Sequence, residues 1–335
     1  MNNKFFPSNF LFMSIMILGT LISLSSSHWL TMWMGLELNL MSFLPLMNIK
    51  GKMLEAEASM KYFIIQSMSS SVLIFGSIMM YIYNLSWYTM FNGMLTTLIL
   101  LSLVLKLGGA PMHFWLPNIS KQMSWSILFM LLTWQKLAPL FMLSLINSNF
   151  TMIMFISMLS TLIGSMMALN QTNLQLIITY SSISHLGWMM SMILINNSLT
   201  MFYFINYIII SIPLMHLINS EIGNHMFMLT QKNNINSMII ISMILSLAGL
   251  PPLLGFMSKL IMLIFMVNMK LFILCLFLLL GTLISLYFYL NMSLMLMIKS
   301  YSMFKTNKNI KNYKSLISLN LVSSFIIYPV IIMFI

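Results

Sequence analysis

Apolar residues in this chain come in runs of 18 or more, repeated from end to end and separated by short polar stretches. Runs of that length match the roughly 20 residues a helix needs to cross about 30 Å of hydrocarbon. The short alternating segments of a membrane β-barrel are missing from the pattern. Eleven spans can be drawn, at approximately 8–26, 28–48, 57–83, 89–119, 124–146, 150–170, 174–196, 199–220, 235–267, 271–298 and 315–335. Most connections are a few residues long, so neighbouring helices run antiparallel. The expected fold is all-α: one polytopic transmembrane bundle of about 11 helices over residues 1–335.

Two of the spans are interrupted. Ser102–Pro117 reads SLVLKLGGAPMHFWLP, and Leu247–Lys259 reads LAGLPPLLGFMSK. Pro111 and the pair Pro251-Pro252 leave backbone carbonyls without helical donors. Irregular backbone at membrane depth is tolerated only inside protein or against a water-filled cavity. The free carbonyls ending the first half-helix also carry partial negative charge, which favours Lys106. The breaks fall in the fourth and ninth spans, five apart. Two five-helix units, approximately 8–146 and 150–298, would then each hold one broken helix, with a C-terminal helix at 315–335. An odd unit length sends the second copy in from the opposite face, the inverted repeat of secondary transporters with ion sites near the midplane.

Composition strengthens the membrane reading. Of 335 residues, 60% are hydrophobic and 6% charged, against about 25% charged in a soluble domain. The net charge of +11 comes from fifteen lysines and four glutamates, with no Arg and no Asp, and there are 41 methionines. That bias fits drift toward AT-rich codons and a mitochondrial code that reads an extra codon as Met. On the spans drawn, ten lysines between Lys4 and Lys314 fall on the side of the N-terminus and Lys270 alone on the other. This positive-inside asymmetry puts the N-terminus on the matrix side, or its bacterial equivalent the cytoplasm, and for an organelle-encoded chain the C-terminus on the intermembrane-space side. No basic-aromatic surface run suggests nucleic acid. The N-terminus reads as a retained first span without a small-x-small cleavage site. A single Cys275 rules out an intrachain disulfide and iron–sulfur ligation by this chain alone.

Candidate chemistry lies in the charges left inside the spans. Glu37, in WLTMWMGLELNLMSFLPLM, costs several kcal/mol to bury unless it is paired or protonated. Lys106, Lys136 (in LLTWQKLAPL) and Lys259 each cost about 2.5–3.5 kcal/mol on insertion scales. Four such groups need partners, water, or both, and a row of them joined by water is a proton relay. Lys61 stands four residues after Glu57 near a helix start, where a structural ion pair competes with a relay role. His113, just after the first break, and His185, in TYSSISHLGWMM, fit either a satisfied core imidazole or a proton-passing group. The five histidines show no metal-ligand spacing. Neither a GxGxxG nor a P-loop pattern occurs, and without Asp no Ser/His/Asp set can form.

Six stretches together resemble one family: WMGLELNLMSFLPL, EAEASMKYFIIQS, LKLGGAPMHFWLP, LTWQKLAPL, LNQTNLQLIITYSSISHLGWM and LSLAGLPPLLGFMSKL. They are similar, in order and over nearly the whole chain, to subunit 2 of mitochondrial NADH:ubiquinone oxidoreductase (respiratory complex I), an antiporter-like subunit. The composition is similar to that of insect versions. Met112 departs from the family, which usually has an aromatic there. The resemblance implies an inner-membrane proton translocase module that holds no redox cofactor itself. NADH, FMN, iron–sulfur clusters and ubiquinone would belong to other subunits. Its partners would be other membrane-arm subunits, neighbouring antiporter-like ones among them, and membrane lipid such as cardiolipin. It further implies Glu37 and Lys106 as the pair of a first half-channel, Lys136 as central relay and Lys259 toward the exit. A free-standing cation/proton antiporter, sharing such a fold, and a purely structural membrane subunit are the competing readings.

Overall fold

The computed structural model describes residues 7–49, 51–85, 92–146, 150–220, 234–251 and 253–304. Among these, thirteen helical segments and no strand are found. The expected C-terminal helix at 315–335 lies outside the described residues. The chain forms two compact units, Met1–Ile156 and Ser157–Ile335. The first contains α1 (Pro7–Ser25), α2 (Trp29–Met47), α3 (Met53–Leu85), α4 (Asn92–Leu107), α5 (Trp115–Ser120), α6 (Trp125–Leu132) and α7 (Trp134–Leu145). Helix α8 (Phe150–Ala168) leads into the second. There follow α9 (Leu174–Ile193), α10 (Asn197–Ser220), α11 (Asn234–Ala248), α12 (Leu254–Asn268) and α13 (Phe272–Phe304). Eight stretches among the described residues are long and apolar enough to cross a membrane, and the shorter apolar helices α4, α11 and α12 are pieces of the interrupted spans.

The bundle packs with its small and polar side chains inward. Phe10 is 80% exposed and Leu276 61%, whereas Ser69, Ser160 and Ser182 are fully buried. Between helices in lipid there is little hydrophobic force to exploit, so close backbone approach does the work. In the first unit α1 crosses α2 at Gly19 and Gly35, where an added Cβ on Gly35 would lie 2.8 Å from the Gly19 carbonyl oxygen. In the second unit α8 crosses α9 in the same manner, and a Cβ on Gly164 would lie 2.7 Å from Ser184 N. Helix α3 shows an inward stripe at helical spacing: Ala58, Tyr62, Gln66, Ser69 and Leu73 are all buried.

Both expected breaks are present, and their backbones end alike. Helix α4 stops at Leu107; Gly108 follows at φ +72°, Gly108 N donates to Leu105 O (3.2 Å) and Gly109 N to Val104 O (3.0 Å). Helix α11 stops at Ala248; Gly249 follows at φ +85°, Gly249 N donates to Ser246 O (3.1 Å) and Leu250 N to Leu245 O (3.3 Å). This is the Schellman closure twice, with glycine in the left-handed position that a Cβ would strain.

The first unit holds one further interruption among its described residues. The span drawn as 124–146 is divided at Thr133 into α6 and α7. Pro139 cannot donate to the carbonyl of Gln135 and crowds the preceding turn, which loosens the helix where Lys136 sits. Thr133 Oγ1 turns back on Phe129 O at 2.7 Å, and Lys136 N bonds Thr133 O at 3.1 Å.

Candidate functional site

The first unit gathers charged and amide side chains around one small cavity. It offers about 20 Å³ to the centre of a water molecule, and its polar lining is Asn39, Tyr62, Gln66, Lys106, Gln135 and Lys136. Lys106 and Lys136 therefore face the same space. Lys106 is in the last turn of α4 and Lys136 in the first turn of α7, and these two helices pack together. Both lysines are buried.

Around the lysines runs a fixed polar framework. Gln135 Nε2 donates to Asn39 Oδ1 at 3.0 Å, and Tyr62 Oη donates to Gln135 Oε1 at 3.3 Å. The Tyr62 ring is held edge-on by Phe43 (centroids 5.4 Å apart) and lies 6.0 Å from the Trp115 ring. Gln66 Nε2 donates to the Lys106 carbonyl at 3.4 Å, and Trp115 Nε1 to the Leu105 carbonyl at 3.0 Å. The freed carbonyls at the end of α4 are thus taken by neutral donors, not by Lys106. The reason lies in helix geometry: side chains tilt toward the N-terminus of their own helix, so Lys106 points back along α4, away from its open end. None of the described residues accepts a hydrogen bond from Lys106 Nζ.

Glu37 sits at the edge of this arrangement. It is half-buried, its Oε1 is buried without a protein hydrogen-bond partner, and it interacts with Lys106 electrostatically at more than ion-pair contact. Lys61 is elsewhere. Its Nζ meets Glu57 Oε1 at 2.5 Å on the exposed start of α3, and Gln122 Nε2 donates to the other Glu57 oxygen at 3.3 Å. His113, in the α4–α5 break, is buried and bonds the Pro111 carbonyl through Nδ1 at 3.2 Å, with its ring 4.3 Å from Phe114.

In the second unit Lys259 is occupied differently. Its Nζ donates to the Ala248 carbonyl at 2.9 Å and the Leu247 carbonyl at 3.3 Å, both at the open end of α11. Gly249 makes room for it, since a Cβ there would lie 3.0 Å from Lys259 Nζ. His185 belongs to a separate cluster on α9 and α10. Its Nδ1 lies 2.7 Å from Tyr203 Oη and its ring 5.3 Å from that of Tyr207, with Ser181, Ser182 and Ser184 buried beside it on α9.

Sequence reasoning missed Asn39, Tyr62, Gln66 and Gln135, which complete the first site. Their signal was present but faint. Asn39 is two residues from Glu37, Gln135 directly precedes Lys136, and Tyr62 and Gln66 are one turn apart in an otherwise apolar and serine-rich helix. An uncharged amide in an apolar run costs too little to stand out by hydropathy.

A half-helix break beside buried lysines, in a bundle packed through small residues, defines an antiporter-like membrane subunit. The family of NADH:quinone oxidoreductase/Mrp antiporter transmembrane proteins matches residues 26–285. NADH-ubiquinone oxidoreductase chain 2 of Anopheles gambiae is 42% identical over 331 residues, covering 95% of this chain and 94% of the relative. The chain belongs to the NADH-ubiquinone oxidoreductase chain 2 family, as its motifs had implied. It is a proton-translocating, antiporter-like membrane-arm subunit of complex I. Solved structures share the fold. A chain of respiratory complex I from Thermus thermophilus superposes with a TM-score of 0.80 at 22% identity, covering 86% of this chain and 70% of that one. A chain of the Mrp complex from Dietzia gives 0.74 at 18% identity, covering 83% and 58%.

Proposed function

We propose that the cavity shared by Lys106 and Lys136 is the proton-transfer site of this subunit, with Glu37 as the charge that controls it. The observation that carries this reading is the convergence of two buried lysines on one polar, water-sized space. Glu37 is close enough to be felt by Lys106 and far enough not to neutralise it. When Glu37 withdraws, the Lys106 ammonium loses a stabilising charge, and its proton moves to Lys136. Moving one proton against 100 mV costs about 2.3 kcal/mol, a size that movement of one nearby charge in a low-dielectric site can supply. Lys259 is the exit-side lysine of the second unit on the strength of the family resemblance. His113 and His185 are proton-passing candidates at the first break and in the α9–α10 cluster. Lys61 has its support as a structural ion pair.

In the assembled enzyme, NADH oxidation and ubiquinone reduction take place in other subunits that carry the cofactors, and the redox energy reaches this chain as conformational or electrostatic change. Neighbouring antiporter-like subunits and inner-membrane lipid, cardiolipin included, are its contacts, with no nucleic acid partner. The lysine asymmetry supports a matrix-facing N-terminus. A free-standing antiporter is the weaker reading, because the high identity to chain 2 runs over nearly the full length. The test is Lys106→Ala in the assembled complex, reconstituted in liposomes. Protons moved per NADH oxidised and ubiquinone reduction are measured together. At least one falls several-fold on this reading; both remaining intact would overturn it.

A further inference from the structure

We infer that Gln135 is a positioning residue that holds a single bridging water between Lys106 and Lys136, with Asn39 and Tyr62 locking its amide. The inference rests on the relay reading above and adds the element that carries the proton across the gap. The cavity's 20 Å³ exceeds the ~10–15 Å³ that one water centre requires. Six polar side chains line it, so a water there finds the two to four partners it needs. The Gln135 amide is fixed at both ends: Nε2–H is committed to Asn39 Oδ1 at 3.0 Å, and Oε1 takes the Tyr62 hydroxyl at 3.3 Å. In this arrangement Oε1 keeps a second lone pair for another donor.

Tyr62 is itself held by the Phe43 and Trp115 rings, and Trp115 caps the end of α4 through Leu105 O at 3.0 Å. A continuous set of contacts therefore runs from the broken helix to the amide beside Lys136. The proton step balances without chemistry on Gln135. One N–H bond of Lys106 breaks as the water takes its proton, and the water gives another proton to neutral Lys136, so water is regenerated. Gln135 Oε1 accepts a hydrogen bond from the water and sets its distance to both nitrogens. Misplacing a reacting group by about 1 Å costs up to ~100-fold in rate, so loss of this support lowers transfer by roughly tenfold or more.

The experiment compares Gln135→Leu, Gln135→Glu and Tyr62→Phe with Lys106→Ala in the assembled complex in liposomes. The readouts are the rate of proton translocation and the solvent isotope effect on pumping. Gln135→Leu is expected to lower that rate roughly tenfold while leaving assembly on native gels intact. Gln135→Glu keeps an acceptor oxygen in the same volume and is expected to recover most of the rate; the isotope effect, raised in Gln135→Leu and returned toward wild type in Gln135→Glu, separates this from a merely structural role. If Gln135→Leu does not assemble, Tyr62→Phe decides. It keeps the ring packing and frees Oε1, and it is expected to lower the rate several-fold and enlarge the isotope effect. Wild-type values in Gln135→Leu, or in Tyr62→Phe where the first does not assemble, overturn the inference. If Lys106→Ala fails to pump in that same series, the relay reading survives without the clamp; if Lys106→Ala also pumps normally, both fall.

Discussion

The two broken helices share a backbone and differ in what their lysines do. At α4 and at α11 the last turn is closed by the same pair of hydrogen bonds, with a left-handed glycine at Gly108 and Gly249. At the first break the exposed carbonyls go to an indole and an amide, and Lys106 is left facing the cavity. At the second, the ammonium of Lys259 spans two of those carbonyls itself. The sequence order explains the difference. Lys106 precedes its glycine by two residues, and its side chain leans back along α4. Lys259 follows Gly249 by ten, in the early turns of α12, and the same N-terminal lean aims it at the open end of α11. One lysine faces a cavity that it shares with Lys136, and the other joins two half-helices.

The comparison can be broken most sharply at Lys259. Lys259→Met removes the donor from two buried carbonyls, a loss of about 2–4 kcal/mol. Thermal unfolding of the membrane arm should show it as a lower melting temperature and less assembled complex. Lys106→Met, by contrast, takes no donor from a carbonyl, and its effect on stability is expected to be the smaller of the two. Equal destabilisation by the two variants would erase the distinction. A smaller effect sharpens the first break alone. Trp115→Phe puts a smaller ring in place of the indole and deletes the donor to Leu105 O, costing about 1 kcal/mol for the hydrogen bond, and should show as faster amide exchange around Gly108 and Gly109. Smallest of all is Glu57→Gln, which breaks the exposed pair with Lys61. Screening by solvent makes that pair weak, so melting and pumping are expected to stay at wild-type values, and a pumping loss there would give Lys61 a relay role.

Hydropathy carried most of the fold. The long apolar spans follow from the cost of placing unpaired backbone in lipid, and the two breaks from Gly and Pro at fixed places. The interruption at Thr133 was hidden because Pro139, a turn and a half away, reads as an ordinary kink in a continuous apolar run. The lysines and Glu37 were legible as costly charges at depth. Their grouping was not, because which side chains meet across helices depends on packing that spacing along one helix does not encode. Asn39, Gln66 and Gln135 are the clearest case: each is a neutral amide, and only α2, α3 and α7 together make them a site.

Hydrogen–deuterium exchange at the two breaks of the intact complex tests the central contrast most directly, with wild type, Lys106→Met and Lys259→Met measured side by side. Lys259→Met is expected to speed exchange at Gly249 and Leu250, while Lys106→Met leaves Gly108 and Gly109 at the wild-type rate. Faster exchange at Gly108 and Gly109 in Lys106→Met, with Gly249 and Leu250 unmoved in Lys259→Met, would contradict it.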